Sequence, residues 1–218
     1  MRPDYEFSYE QYASSPGAEN LTSWIFGRGH ELLETSLPRA DAGRVLEVGA
    51  GTGNHIQYLR HGFKEYVITD LQDTLMMSGH EEYAPGVSFR KMDAGNLEVA
   101  DSSIDRLISC HVLEHLPKPH RCLREWHRVV RGGGIISILL PTDPGLAWRL
   151  ARIFARKSAH KQGIPYDYVI SREHINPFNN LLAFVRYYFE EMDEYWWPSK
   201  IPMMDINLFY CCHIHVQK

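Results

Sequence analysis

Arg44-Val-Leu-Glu-Val-Gly-Ala-Gly-Thr-Gly-Asn54 decides how this chain is read. Val45, Leu46 and Val48 form a short apolar run, the pattern of a strand buried on both faces. Gly49, Gly51 and Gly53 then let the backbone bend sharply and come close to a ligand without Cβ atoms in the way. A helical pattern resumes through Ile56-Gln-Tyr-Leu59. Strand, glycine turn and helix in this order place free backbone N–H groups outside the carboxyl end of a strand, where α/β sheets bind ligands.

The spacing narrows the ligand. A dinucleotide fingerprint reads G-x-G-x-x-G, whereas here it is G-x-G-x-G, with Asn54 in the place of the last glycine. Glu47 stands two residues before the turn, where a fixed carboxylate repels a pyrophosphate and suits a cation. Both departures point away from NAD and towards S-adenosylmethionine (SAM), whose amino and sulfonium groups are positive.

Working outward, Tyr66-Val-Ile-Thr-Asp70 reads as a second strand ending in an acid 21 positions after Gly49. That is the position of the carboxylate that accepts both ribose hydroxyls in nucleoside-binding α/β folds; a turn or cap aspartate is the plainer alternative. Val87-Ser-Phe-Arg-Lys91 is a third strand, followed by Asp93, and Asp105 to Cys110 a fourth, followed by His111-Val-Leu-Glu-His115. Pro119 opens a helix that Arg131-Gly-Gly-Gly134 stops, and Ile135 to Leu140 is a fifth, buried strand. Alternating strands and helices predict a parallel sheet with right-handed crossovers.

Glu47-Val-Gly-Ala-Gly-Thr-Gly53, Asp70, Asp93 and His111-Val-Leu-Glu-His-Leu116 together resemble the class I SAM-dependent methyltransferases. Within them the chain is similar to the methyltransferase type 11 group, which includes the ubiquinone and menaquinone C-methyltransferases, over roughly residues 40–141. The resemblance implies a Rossmann-like, doubly wound, mostly parallel seven-stranded sheet with an antiparallel last strand. It implies one methyltransferase domain over residues 1–218, with a cofactor-covering segment at 1–40 and a substrate-side insertion at 143–180. It implies that Glu47, Gly49, Ala50, Gly51, Gly53, Asp70, Leu71, Asp93, Ala94, Cys110 and His111 hold SAM, with Asp93 and the Ala94 N–H at the adenine.

The acceptor side is read from residue chemistry. Arg149, Arg152 and Arg156 recur at helical spacing beside Leu146, Leu150, Ile153 and Phe154. The plain reading is a solvated basic face; the sharper ones are an anionic-substrate site or contact with a membrane surface. Tyr166, Tyr168, Glu173 and His174 fall in a polar segment read as a loop, and Arg149, Arg152, Tyr166, Tyr168 and His174 are the substrate-binding candidates. His111, Glu173 and His174 are the candidates for proton removal, because imidazole titrates near neutrality.

The 218 residues, 44% apolar and 23% charged, suit one soluble globular domain. A net charge of −4 gives no reason to expect nucleic acid, and no apolar run approaches the roughly 20 residues of a membrane span. Met1-Arg-Pro-Asp-Tyr-Glu6 is too polar for a secretory signal, and four cysteines without a CxxC pair read as reduced thiols in a cytoplasmic protein. No metal is expected, since His111 to His115 does not match H-E-x-x-H; His213 and His215 read as solvent-facing. Residues 178–191 form an aromatic helix that covers the sheet or serves a homodimer contact. The expected reaction is SAM-dependent methyl transfer, O-methylation favoured, to a small or medium polar acceptor that can be anionic: a metabolite, sugar or natural-product intermediate. The rivals are a non-catalytic SAM-binding partner subunit and an NAD-dependent oxidoreductase.

Overall fold

The computed structural model describes residues 19–37, 42–51, 53–72, 85–161 and 163–218. The first part of the expected cofactor-covering segment, 1–18, lies outside the described residues.

Seven strands form one sheet: β1 (Ala42–Val48), β2 (Phe63–Asp70), β3 (Val87–Lys91), β4 (Ile104–Cys110), β5 (Val130–Pro141), β6 (Met192–Trp197) and β7 (Phe209–His215). Their spatial order is β3-β2-β1-β4-β5-β7-β6. β1 to β5 pair in parallel, and β7 runs antiparallel to both β5 and β6. This is the expected Rossmann-like sheet with its antiparallel last strand. The order reverses between β1 and β4, and a ligand crevice opens at such a switch point, beyond the carboxyl ends of the strands.

Strand alternation divides the core in two. On one face Leu46, Val48, Leu107, Ile136, Ile138 and Cys212 meet Leu123 and Trp126 of α2 (Pro119–Val129) and Phe178, Leu181 and Val185 of α5 (Phe178–Tyr188). On the other, Val45, Tyr66, Ile68, Ile108, Leu139, Phe209 and Cys211 meet Leu33 of α1 (Glu19–Thr35). Gly27 and Gly29 of α1 are more than weak helix formers. A Cβ at Gly29 would stand 3.1 Å from Leu139 Cδ2, and one at Gly27 2.9 Å from Tyr58 Oη, so the helix lies close on the sheet because these side chains are absent.

Four local expectations are corrected. The turn is followed by a 3₁₀ helix over Asn54–Tyr58, which opens on Gly53 in the left-handed conformation and turns His55 into the core. The glycines at 132–134 lie inside β5 rather than ending α2; a Cβ on Gly134 would meet the Asp105 carbonyl at 2.8 Å, so they let β5 close on β4. Residues 166–173, read as a loop, are helix α4 (Tyr166–Glu173), two turns with Val169 buried. His213 is buried and only His215 is exposed, because Ser36 and Ser137 give the His213 ring polar partners inside. Helix α3 (Leu146–Lys161) follows the expected amphipathic segment, with Leu146, Leu150, Ile153 and Phe154 exposed.

Candidate cofactor and acceptor site

The glycine turn leaves β1 with Gly49, Gly51 and Gly53 all at positive φ (65°, 54° and 70°), a region that L side chains enter only at a cost. A Cβ on Gly49 would collide with both Val112 methyls, at 2.7 and 2.8 Å. Among the described residues a Cβ on Gly51 would meet nothing within 4 Å, so none of them fills the space in front of that residue. Ala50 fixes the turn by donating its N–H to the Thr69 carbonyl at 3.0 Å. The turn is thus held from behind by Val112 and open in front at Gly51.

Asp70 closes β2 beside this space. Its carboxylate accepts the Gly51 N–H at 2.8 Å and the Gln72 N–H at 3.0 Å, which fixes the group while leaving lone pairs for further donors. Leu71 next to it is exposed. Asp93 accepts the Gly95 N–H at 2.7 Å in an Asx-type turn, and its side chain remains exposed; the Ala94 carbonyl is held by the buried Trp126 indole. Glu47 does not stand open to the ligand space. It is buried and accepts the Tyr66 hydroxyl at 2.7 Å, and burial pushes its pKa up from the usual carboxylate value. The expected open carboxylate is thus corrected: Glu47 is turned inside and bonded to Tyr66 of the neighbouring strand.

The end of β4 supplies Cys110 and His111. His111 sits at φ 58°, an uncommon value for a residue with a Cβ, fixed by its N–H bond to the Leu139 carbonyl at 3.0 Å. Among the described residues neither ring nitrogen has a hydrogen-bond partner, and the Glu114 carboxylate stands 3.6 Å from Nδ1. Burial works to raise the Glu114 carboxyl, yet the His111 and His115 rings beside it hold it below the usual range. Phe26 of α1 covers the ring edge-on at 5.0 Å, so α1 roofs this part of the crevice.

On the acceptor side, β5 leads into Asp143, a buried residue that the sequence reading missed. It forms an ion pair with Arg152, and His174 Nδ1 lies 3.3 Å from its Oδ2. These three residues line a cavity of about 190 Å³ with Ser171 and Asn176. Asn176 ties the segment to the β4 loop by donating to the Leu113 and Leu116 carbonyls at 2.9 and 2.7 Å. The His115 and His174 rings meet edge to face at 4.9 Å, so the β4 and α4 segments converge. Glu173 points elsewhere, into a salt bridge with Arg172. Arg156 pairs with Asp167, while Arg149 is exposed; the three arginines therefore do not act as one basic face. Tyr166 and Tyr168 line a separate cavity of about 300 Å³ with Arg156 and His160.

Beneath α1 the sheet face carries a buried polar network. Glu34 takes the Arg106 guanidinium at 2.8 Å and His55 Nε2 at 3.1 Å. Burial opposes the Glu34 charge, but His55 and Arg106 together hold its pKa well below the usual carboxylate range. Arg106 also donates to Ser137 Oγ at 3.1 Å, and Ser137 bonds His213 Nδ1 at 3.0 Å.

Against known proteins, residues 46–138 match the family described as "Methyltransferase domain". Over these residues the chain is similar to SAM-dependent methyltransferases. A probable SAM-dependent methyltransferase of Mycobacterium tuberculosis is 27% identical over 122 residues, 56% of this chain and 44% of that protein. The chain therefore spans less than half the length of that relative. A phosphatidylethanolamine N-methyltransferase of Cereibacter sphaeroides is 26% identical over 182 residues, 79% of this chain and 81% of that protein. In fold, a Haemonchus contortus phosphoethanolamine N-methyltransferase solved with SAM superposes with a TM-score of 0.63 at 13% identity, over all of this chain and 62% of that one. No described helix of this chain is long and apolar enough to cross a membrane.

Proposed function

We propose that this chain transfers a methyl group from SAM to the oxygen of a small or medium polar acceptor, a metabolite, sugar or natural-product intermediate that can be anionic. SAM supplies an activated methyl on a sulfonium, so the protein's task is to align the reactants, exclude water and remove the acceptor proton. The space at Gly51, the fixed Asp70 carboxylate and the partly buried His111 ring, whose nitrogens have no hydrogen-bond partner among the described residues, fit the group. Residues 19–37 serve as cover through Phe26, and 143–180 form the acceptor wall.

The observation that carries the oxygen reading is the His174–Asp143 pair in its cavity. The Asp143 carboxylate stands 3.3 Å from Nδ1 as a charge partner rather than a hydrogen-bond acceptor, and it would stabilise the ring once a proton from an alcohol has been taken. Arg152 is poised for an anionic group on the acceptor and balances Asp143. His111 faces Glu114 at the end of β4 and is the alternative base.

Calorimetry with SAM against NAD tests the cofactor first. Release of S-adenosylhomocysteine with matched alcohol and amine acceptors then tests the atom. Turnover with the alcohol that falls in His174→Gln at unchanged SAM affinity supports the reading. No SAM binding at millimolar concentration removes it altogether, and product methylated only on nitrogen removes the oxygen assignment.

A further inference from the structure

His30 of α1, His55 after the glycine turn and Cys110 at the end of β4 converge beneath the roof of the crevice, and their donor atoms all lie within 4.8 Å of one another. His30 Nδ1 is 2.9 Å from His55 Nδ1, and Cys110 Sγ is 3.7 Å from the same nitrogen. Zinc–nitrogen bonds of about 2.05 Å and a zinc–sulfur bond of about 2.3 Å, set at tetrahedral angles, require donor separations of roughly 3.3 Å (N···N) and 3.6 Å (N···S). Both observed separations are within about 0.5 Å of those edges.

The surroundings prepare the ligands. Glu34, itself buried, accepts the N–H of His55 Nε2 at 3.1 Å. That bond fixes the tautomer and directs the bare Nδ1 lone pair at the other two donors, the carboxylate–histidine–metal arrangement that orients ligands in metal sites. Glu34 is fixed in turn by Arg106 and by the Arg60 N–H at 3.1 Å. Tyr58 stacks on the His30 ring at 5.1 Å and holds its plane.

We infer that His30, His55 and Cys110 form a binding site for a borderline transition-metal ion of the zinc and cobalt(II) class, with the fourth position open. Two imidazoles and a thiolate exclude magnesium and calcium, which take oxygen ligands. On binding, the Cys110 thiol loses one proton to solvent, and His30 moves its N–H from Nδ1 to Nε2 as Nδ1 takes the metal. The three ligands come from three elements, 25 and 55 residues apart in the chain, so no local spacing announced them.

The test is titration of chelator-treated protein with cobalt(II), without SAM, so that its outcome is separate from that of the methyl-transfer reading. The expected result is one cobalt per chain, with a thiolate-to-cobalt charge-transfer band in the near ultraviolet and tetrahedral ligand-field bands in the visible. Cys110→Ser should abolish the charge-transfer band and Cys211→Ser should retain it. His30→Gln, with its fold checked by circular dichroism, should weaken binding at least about tenfold. A folded wild-type chain that takes up no cobalt at micromolar concentration overturns the inference. So does cobalt bound without the thiolate band, or a band that survives in Cys110→Ser.

Discussion

Acidification should destabilise this protein through His213. The ring lies in a directional chain of hydrogen bonds: Arg106 Nε donates to Ser137 Oγ, Ser137 donates to His213 Nδ1, and His213 Nε2–H donates to Ser36 Oγ at 2.8 Å. Ser36 passes its proton to the Leu32 carbonyl at 2.6 Å. Every donor is used, so the network assigns His213 as the neutral Nε2–H tautomer. A proton on Nδ1 would oppose the Ser137 hydroxyl and place a second cation near Arg106. Burial and, next, the Arg106 charge lower the His213 pKa from about 6.5 to about 4, against the opposing pull of Glu34 and Asp193; His215 adds to the lowering. The unfolded chain therefore binds more protons between those values, and stability falls as pH falls through that window. One pKa unit is about 1.4 kcal/mol, so the full loss is roughly 3.4 kcal/mol below pH 4, of which about 2 kcal/mol is reached between pH 7 and pH 5. Urea unfolding at pH 7, 6 and 5 measures it, with His213→Gln as the comparison. The wild type should lose about 2 kcal/mol more than the variant over that range. Parallel losses in the two proteins would show that His213 gains its proton freely in the folded state and would refute the neutral network.

Asp70→Ala should weaken SAM by at least about 1.5 kcal/mol, roughly tenfold, by calorimetry, since a charged acceptor for the ribose hydroxyls is lost. Gly51→Ala should cost about 1–2 kcal/mol of stability from its positive φ and weaken SAM more than tenfold, because its new methyl enters the open ligand space. Gly49→Ala should cost distinctly more stability, since its methyl also strikes Val112; thermal melts compare the two. His174→Gln should lower kcat about 10²- to 10⁴-fold with an alcohol acceptor, while Asp143→Asn should shift the pH–rate profile, and SAM affinity should hold in both.

The parallel sheet and its cofactor end were legible because they are encoded locally. Apolar runs such as Val45 to Val48 and Ile135 to Leu140 need no partner to announce a buried strand, and three glycines at alternate positions mark a turn by themselves. Asp70 was placed beside that turn by its spacing, and its carboxylate does accept the Gly51 N–H. What escaped depends on contacts across the fold. Asp143 looked like the first residue of a turn before proline, and only the fold brings it to Arg152 and to His174, 31 positions later. His55 carries no local sign of burial; Glu34, 21 positions earlier, gives it a partner inside. Glu47 misled for the same reason, since its partner Tyr66 lies on the neighbouring strand. Helix α4 is only two turns long and buries Val169 alone, too little periodicity to read.

The two faces of the sheet are built to different rules, and the difference bears on where chemistry can occur. The face under α2 and α5 is closed with leucine, isoleucine, valine and aromatic side chains and has the stability of a dry core. The face under α1 instead buries Glu34, His55, Arg106, Ser137 and His213. Burying the Glu34–Arg106 pair gives little net stability over an apolar pair of equal volume, because desolvation offsets the attraction. Removing one partner would strand the other charge at a cost of about 3–5 kcal/mol, so the network fixes position far more than it adds stability. Arg106 stands on β4, the strand whose carboxyl end carries Cys110 and leads to His111, and it ties that strand to Glu34 of α1 and Ser137 of β5. Position is what a methyl transfer demands, because its driving force comes with the cofactor and the protein contributes alignment. A fold that needed only stability would have closed both faces with hydrocarbon; this one keeps a polar scaffold where its crevice residues must be held.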